Sequence, residues 1–123
     1  MAARAIQLYP GEELAWFWSG ELAVATGDTA KAINDYSEAV HLDPSDGLTW
    51  CRLGGIYSRE EQLDAALDAY KHCCLNGDPG YNGCGGAGRI AESMGDIPAA
   101  IYYYHSSHYL PTKQRGDELE ASQ

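Results

Sequence analysis

The feature that most constrains this chain is a repeat with a period of 34 residues. Glycine-aspartate pairs at 27–28 and 95–96 match the pair at 61–62, which lies midway between them. Trp16, Trp50 and Cys84 keep the same spacing, as do three glycines (20, 54, 88), three alanines (32, 66, 100) and three tyrosines (36, 70, 104). Such a period is typical of proteins built from stacked copies of one small unit. The sequence predicts three units, at residues 13–46, 47–80 and 81–114.

Each unit is predicted to fold as two antiparallel helices. In the second unit the apolar and small residues recur at helical spacing on both sides of a break at 58–62: Trp50, Leu53, Gly54 and Tyr57, then Leu63, Ala66, Leu67 and Tyr70. Gly27 and Gly95 can end one helix, and the aspartate that follows each can cap the next. Pro98 fits the first turn of its helix, and prolines 10, 44, 79 and 111 mark the unit ends.

The aligned small residues predict close packing within each pair. The glycines leave no side chain where the first helix crosses the second, and the alanines are small at the facing position. The aligned tyrosines and the two tryptophans are expected to fill the larger gaps. Each pair then presents an apolar side that only a neighbouring pair can cover.

The second unit contains W-x-x-L-G-x-x-Y from Trp50 to Tyr57, followed by Ala66 and Tyr70. With these residues the chain resembles the tetratricopeptide repeat family over residues 13–114. The first unit departs from the pattern at Ser19 and Ala23, and the third at Cys84, Ala87 and Ala91. The resemblance implies an all-α, right-handed α-solenoid of antiparallel helix pairs. Residues 1–12 are interpreted as the end of a preceding helix or partial repeat, and residues 115–123 as a polar cap or the start of a further helix, as in a piece of a longer array.

Charge and composition disfavour several classes of partner and compartment. Eight basic and eighteen acidic side chains give a formal charge of −10, which disfavours nucleic acids and anionic membranes. No apolar run approaches the ~18 residues that span a bilayer, and the N-terminus lacks the pattern of a signal peptide. The four cysteines form no C-x-x-C pair and two of them are adjacent, so we expect reduced thiols in the core. These features predict a soluble, cytoplasmic protein.

The stretch GYNGCGGAGR at 80–89 has the outline of a dinucleotide-binding turn. That turn needs a strand before it and an acidic residue about 20 positions later, and neither is present. The repeat places these glycines inside the first helix of the third unit, where three extra glycines would weaken it by roughly 2–3 kcal/mol. Three explanations stay open: a helix that a partner orders, a surface that a partner or another subunit approaches closely, or a drifted repeat that stable neighbours tolerate.

The sequence assembles no catalytic arrangement. It lacks a nucleophile with a histidine and carboxylate at recognisable spacing, a metal signature and a phosphate loop. We therefore predict a protein that is not an enzyme and needs no cofactor or metal.

The resemblance implies a concave groove that is lined by the first helix of each unit and binds a peptide or a helix of another protein. The candidate groove residues carried over onto this chain are Leu14, Phe17, Trp18, Glu21, Cys51, Arg52, Gly55, Arg59, Asn82, Gly86, Arg89 and Glu92. Three arginines on one wall favour a ligand with an acidic portion near the second and third units, with an apolar side chain near Trp18. The alternative is that the arginines pair with neighbouring acidic residues and Trp18 packs against the helix at the N-terminus.

Some members of that family bind chaperone C-termini through Lys, Asn and Arg residues at set groove positions. Phe17, Glu21, Arg52, Asn82 and Gly86 occupy those positions here, so the chaperone clamp is absent. Two other functions stay open. The units can associate with another copy through uncovered apolar faces, or they can be the docking arm of a longer enzyme or secretion component.

Overall fold

The structure is a computed structural model that describes residues 12–76, 82–107 and 110–123, with the backbone alone for Leu110. These ranges contain helices and no strand. The helices are α1 (Glu12–Ala25), α2 (Thr29–Leu42), α3 (Gly47–Arg59), α4 (Leu63–Asn76), α5 (Gly83–Ser93), α6 (Ile97–Ser106) and α7 (Leu110–Ala121). The first six pack as three successive pairs, and α7 packs on α6. The fold class predicted from the sequence is confirmed. The partial repeat predicted at 1–12 lies almost entirely outside the described residues.

The turns between paired helices follow the repeat. Gly27 and Gly95 end α1 and α5 at φ +81°, a left-handed conformation that glycine adopts without a steric cost. The aspartates that follow them cap the next helix: Asp28 accepts a hydrogen bond from the backbone N–H of Lys31, and Asp96 from that of Ala99, both at 3.2 Å. Glu61 occupies the corresponding place after α3 at φ +59°, although its side chain disfavours that conformation.

A tyrosine ring of the second helix lies against a glycine of the first helix in every pair. A Cβ atom added to Gly20 would come within 2.7 Å of the Tyr36 ring. The same contact joins Gly54 to Tyr70 at 2.8 Å and Gly88 to Tyr104 at 2.5 Å. Real Cβ atoms do not approach other atoms so closely, so the repeated glycines allow the two helices to meet, as the sequence predicts.

The buried apolar side chains form one cluster across the first two pairs and a second cluster at the third pair. The buried members of the first are Phe17, Ala23, Ala32, Tyr36, Ala39, Val40, Leu53, Ile56 and Ala69. Those of the second are Ala91, Ala100, Tyr104 and Leu119. The first cluster draws on α1 to α4 and the second on α5 to α7, so every pair buries apolar side chains together with a neighbouring element.

Helix α7 covers the third pair. It begins at Leu110, earlier than the further helix that the sequence suggests at 115–123. Leu119 and Thr112 are buried, and Gly116 lies so close to His105 that an added Cβ would be 2.6 Å from its ring. The third pair therefore has a covered apolar side.

The expectation of reduced thiols is wrong. All four cysteines lie in the described residues, and they form two disulfides, Cys51–Cys73 and Cys74–Cys84. The first joins α3 to α4 within the second pair, and the second joins α4 to α5 of the next pair. Adjacent cysteines cannot easily bond to each other, but consecutive side chains on a helix point about 100° apart. Cys73 and Cys74 can therefore reach two different neighbouring helices.

The glycine-rich helix α5 packs closely on α4 of the same chain. A Cβ on Gly83 would lie 2.5 Å from the sulfur of Cys73 and 2.7 Å from the backbone nitrogen of Cys74. A Cβ on Gly86 would lie 2.5 Å from the Tyr70 ring. The absent side chains thus make room for an element of this chain, whereas the sequence left open a partner or another subunit in that place.

We predict that Glu61→Gly stabilises the protein. The substitution relieves the left-handed conformation at this position and makes the turn like those at Gly27 and Gly95. After the extra backbone entropy of glycine, the expected gain in the free energy of unfolding is about 0.5–1 kcal/mol. Denaturant unfolding measures it. Glu60→Gly is the matched control, because Glu60 has φ −85° and gains nothing from glycine. A loss of stability of the same size in both variants would contradict the prediction.

Reduction of the two bridges should destabilise the fold. They close loops with sequence separations of 22 and 10 residues, and the loop entropy restored to the unfolded chain is about 3 kcal/mol for each. The free energy of unfolding with and without reductant measures the combined effect, and alkylation with mass spectrometry of the folded, unreduced protein should find no free thiol. Four alkylated cysteines in a sample equally stable with and without reductant would refute the bridges.

Candidate functional site

The helices α1, α3 and α5 line one side of a shared cavity of about 520 Å³, and Tyr36 and Tyr70 reach it from the second helices. Seven of the predicted groove residues lie on it: Glu21, Cys51, Arg52, Gly55, Arg59, Asn82 and Arg89. Because the cavity draws side chains from all three helix pairs, it forms only when the pairs stack. The Cys51–Cys73 bridge lies at its wall.

The other five predicted residues lie elsewhere. Phe17 is 6% exposed within the first apolar cluster, and Gly86 is buried beneath the Tyr70 ring, so neither offers a surface to a ligand. Leu14 and Trp18 are exposed on α1, but they do not line the cavity. Glu92 borders a separate shallow pocket beside Arg89.

The first unit contains a contact of three groups at the edge of the cavity. The hydroxyl of Tyr36 donates a hydrogen bond to Glu21 at 2.5 Å, and Arg52 of the next unit donates to the same carboxylate oxygen at 2.7 Å. Burial alone would raise the pKa of Glu21, but the hydrogen bonds from Tyr36 and Arg52 hold it below its ordinary value. Burial and the hydrogen bond to Glu21 raise the pKa of Tyr36. The charge of Arg52 is therefore compensated within the chain.

The third unit repeats this contact with other residues. The hydroxyl of Tyr104 donates to Glu92 at 2.8 Å, and Arg115 of α7 pairs with the same carboxylate. The hydrogen bond from Arg115, followed by that from Tyr104, lowers the pKa of Glu92. Burial and the bond to Glu92 raise the pKa of Tyr104 to about 12. A tyrosine of the second helix thus donates to a glutamate of the first helix in both outer units.

The second unit has no such glutamate. Gly55 lies 34 residues after Glu21, and a Cβ added to it would be 3.7 Å from the hydroxyl oxygen of Tyr70. Within the described ranges, that hydroxyl makes no hydrogen bond, and Arg59 and Arg89 form no ion pair. Both arginines are exposed and line the cavity. The middle of the groove therefore presents cationic and hydroxyl donors without an acceptor from the described residues.

Asn82 holds one end of the cavity in place. Its side-chain oxygen accepts a hydrogen bond from Ser107 at 3.1 Å, and its amide nitrogen donates to Thr112 of α7 at 3.3 Å. Its backbone has a positive φ of +52°, which asparagine tolerates better than most residues. The cavity wall is thereby connected to the helix that covers the third pair.

Sequence reasoning missed Val24, Ile56 and the two tyrosines of the lining. The repeat assigns Tyr36 and Tyr70 to the packing between helices, and their rings do pack there. A tyrosine is amphipathic, however, and its hydroxyl end can reach a wet surface while the ring stays buried. The sequence does contain a sign that the Tyr70 hydroxyl differs from that of Tyr36: the second unit has Gly55 at the position where the first unit has Glu21.

The described residues contain no group of three or more His, Cys, Asp or Glu side chains placed to hold a metal ion. Among the helices of those same ranges, none is long and apolar enough to cross a membrane.

A sequence model of the tetratricopeptide repeat family matches residues 1–47 and 19–72, which together make up more than half of the chain. The match ends within α4. The third pair is therefore assigned to the same arrangement by its helices and by the Gly88–Tyr104 contact that it shares with the other two.

Among curated proteins, the outer dynein arm-docking complex subunit 4 of Bos taurus is 30% identical over 94 residues. The alignment covers 74% of this chain and 13% of that protein. The chain thus spans a small fraction of the length of this relative.

Solved structures share the fold at low identity. The N-terminal domain of stress-induced protein-1 from C. elegans superimposes with a TM-score of 0.76 at 19% identity, covering 89% of this chain and 94% of that one. MamA gives 0.70 at 20% identity, with 85% and 61% covered. The CopN–Scc3 complex gives 0.70 at 18% identity, with 95% and 72% covered. At these low sequence identities, the similarity shows a shared fold and nothing about a shared function.

Proposed function

The chain belongs to the tetratricopeptide repeat family, and from this premise we propose that it is a non-catalytic interaction module whose groove binds a peptide or helix of a partner protein. Members of this fold are protein–protein interaction scaffolds. The observation that supports the proposal is the cavity shared by α1, α3 and α5, since a ligand lying along it would contact all three pairs.

The charges along the groove favour an acidic segment of the partner. Arg59 and Arg89 line the cavity and form no ion pair with a described residue, whereas Arg52 is paired with Glu21. Guanidinium groups bind carboxylates through paired, charge-assisted hydrogen bonds. An overall charge of −10 would repel an acidic ligand at a distance, so these local contacts must supply the affinity.

An apolar part of the same ligand is proposed to contact α1. Leu14, Trp18 and Leu22 recur at helical spacing and are 52%, 60% and 66% exposed. An exposed tryptophan and two leucines on one helix face form a contiguous apolar patch, and such patches often mark binding surfaces. Aromatic anchors also often dominate the energy of an interface. The ligand would then run from an apolar anchor at Trp18 to an acidic end at Arg89.

Peptide selection with charge reversal tests this function. Peptides are selected from a random display library on the immobilised protein, and their dissociation constants are measured by fluorescence polarisation. We expect acidic peptides that lose at least about tenfold in affinity for the double variant Arg59→Glu, Arg89→Glu. The control is Lys71→Glu, an exposed charge reversal on α4 that does not line the cavity. Selected peptides that bind the double variant and the control equally would exclude the groove as the binding site.

Self-association is a second candidate, and the apolar stripe of α1 favours it. The C-terminal side of the array is covered by α7, but the described residues place nothing over Leu14, Trp18 and Leu22. Stacking of this stripe on another copy would bury it.

If the stripe forms an interface between copies, the wild-type protein should be a concentration-dependent dimer or larger species in light scattering coupled to size exclusion. Trp18→Glu should return it to a monomer, because a buried charge replaces an apolar anchor. Tyr102→Glu on α6 is the matched control, since Tyr102 is an exposed aromatic residue of similar accessibility. A wild-type protein that stays monomeric at every concentration would rule out self-association.

Two further properties concern the cellular compartment of the chain and the longer protein that could contain it. A cytoplasmic location stays a prediction, and the two disulfides weigh against it, because such bonds persist mainly in oxidising compartments. Since the chain spans 13% of the curated relative, a role as the docking arm of a longer protein is consistent with the comparisons.

A further inference from the structure

We propose that the centre of the groove is a carboxylate site for a glutamate side chain of the partner, bound by Tyr70, Arg59 and Arg89. The inference rests on the proposed function and specifies its ligand chemistry. The site would reproduce, between two molecules, a contact that the outer two units make within this chain.

Comparison of the three aligned tyrosines shows that Tyr70 lacks the carboxylate acceptor that the other two have. Tyr36 donates to Glu21, which also binds Arg52, and Tyr104 donates to Glu92, which also binds Arg115. Tyr70 has the same place in its own pair, with its ring against Gly54. Its hydroxyl nevertheless has no acceptor among the described residues, although arginines line the same cavity. Two of the three tyrosines thus have a glutamate acceptor, although Glu92 lies three positions beyond the repeat equivalent of Glu21, and Tyr70 has no acceptor among the described residues.

Gly55 leaves the space for that carboxylate. It corresponds to Glu21 in the repeat, and it lines the cavity beside the Tyr70 hydroxyl. A Cβ atom at this position would meet nothing closer than that hydroxyl at 3.7 Å, an ordinary contact distance. Glycine is therefore not required here by helix packing, in contrast to Gly54 and Gly86. It keeps an opening in the groove at the position where the first unit supplies its own glutamate.

The surrounding charges favour an anion at this point. Arg59 lies on α3 and Arg89 on α5, and both line the cavity, so an occupant that reached both arginines would contact two neighbouring pairs. Glu21 also lines the cavity, but Tyr36 and Arg52 already bind its carboxylate. Among the described lining residues, the charge that is not paired within the chain is thus positive.

A glutamate side chain is the source that fits best. Both completed contacts in this chain use a glutamate side chain. The cavity is also bounded by three successive helices, so a peptide can pass along it and direct a side chain inward. A C-terminal carboxylate is the other source of the same chemistry, and the experiment below separates the two.

The first arm of the test supplies the carboxylate from within the chain. In Gly55→Glu the new side chain should bind Tyr70 and the arginines, as Glu21 binds Tyr36 and Arg52. Gly55→Gln is the matched control, because glutamine has nearly the same size and helix propensity without the charge. We expect the unfolding equilibrium constant of Gly55→Glu to be about fivefold smaller than that of Gly55→Gln at low salt. The difference should shrink when Tyr70→Phe is added to both.

One outcome of this stability comparison would contradict the inference. Equal stability of Gly55→Glu and Gly55→Gln, or lower stability of the glutamate variant, would mean that the cavity does not stabilise a carboxylate, and the inference would be overturned. The measurement needs no partner, so it stands whether or not the proposed peptide-binding function is correct.

The second arm uses small probes of known structure. Glutamic acid with an acetylated amine and an amidated α-carboxyl carries a side-chain carboxylate alone, capped glutamine carries none, and N-acetyl-alanine carries a C-terminal one. NMR of the arginine Nε–H groups, assigned by Arg59→Lys and Arg89→Lys, follows titration at constant ionic strength. We expect saturable shifts of both signals with capped glutamate, no saturable shift with capped glutamine, and loss of the response in Gly55→Glu.

The outcomes separate the two proposals. An equal or stronger response to N-acetyl-alanine, or no saturable shift with capped glutamate, would overturn the glutamate assignment. Selected peptides that bind the groove equally well in wild type and Gly55→Glu would overturn it too, while leaving the groove function intact. A stabilising Gly55→Glu together with a library that yields no groove-binding peptide would support the chemistry of the site and count against the proposed function.

Discussion

The structure depends on one contact that occurs three times, a tyrosine ring lying on a helix glycine. It sets how closely the two helices of a pair approach, because any side chain on the glycine would overlap the ring. The same contact fixes the position of each tyrosine hydroxyl: those of Tyr36 and Tyr104 reach a glutamate of the first helix, and Tyr36 and Tyr70 line the cavity. One residue type therefore couples helix packing to surface chemistry. The tyrosine ring stabilises the helix pair, and its hydroxyl is placed to donate a hydrogen bond beside the first helix.

Tyr70 differs from the other two tyrosines in lying against two glycines, Gly54 of its own pair and Gly86 of the next pair, although it is less buried than Tyr36 and Tyr104. The glycine-rich start of α5 makes this possible. Each of its glycines lowers the helix propensity by about 0.5–1 kcal/mol relative to alanine. The close packing of α5 on α4 and the Cys74–Cys84 disulfide between them offset this loss of helix propensity. The segment with the outline of a nucleotide-binding turn thus has a structural role between two helices of one chain.

Much of the fold could be predicted from the sequence, because its rules are local and periodic. The turns at Gly27 and Gly95, the capping by Asp28 and Asp96, and the pairing of helices all follow from spacing and residue type. The disulfides could not be found in this way, since the pairing of Cys73 and Cys74 depends on which neighbouring helix each one faces. The groove was predicted in outline, but the burial of Phe17 and the part played by Tyr70 depend on side-chain directions that a period does not give.

The two bridges have a mechanical consequence for the array. Solenoids of helix pairs deform by small changes in the angle between successive pairs. Covalent bonds link α3 to α4 and α4 to α5, so the second pair and the start of the third move as one body. No bridge crosses from α2 to α3. Bending is thus concentrated at the junction of the first and second pairs, and the groove would widen or narrow mainly between α1 and the residues of α3 and α5, rather than between α3 and α5.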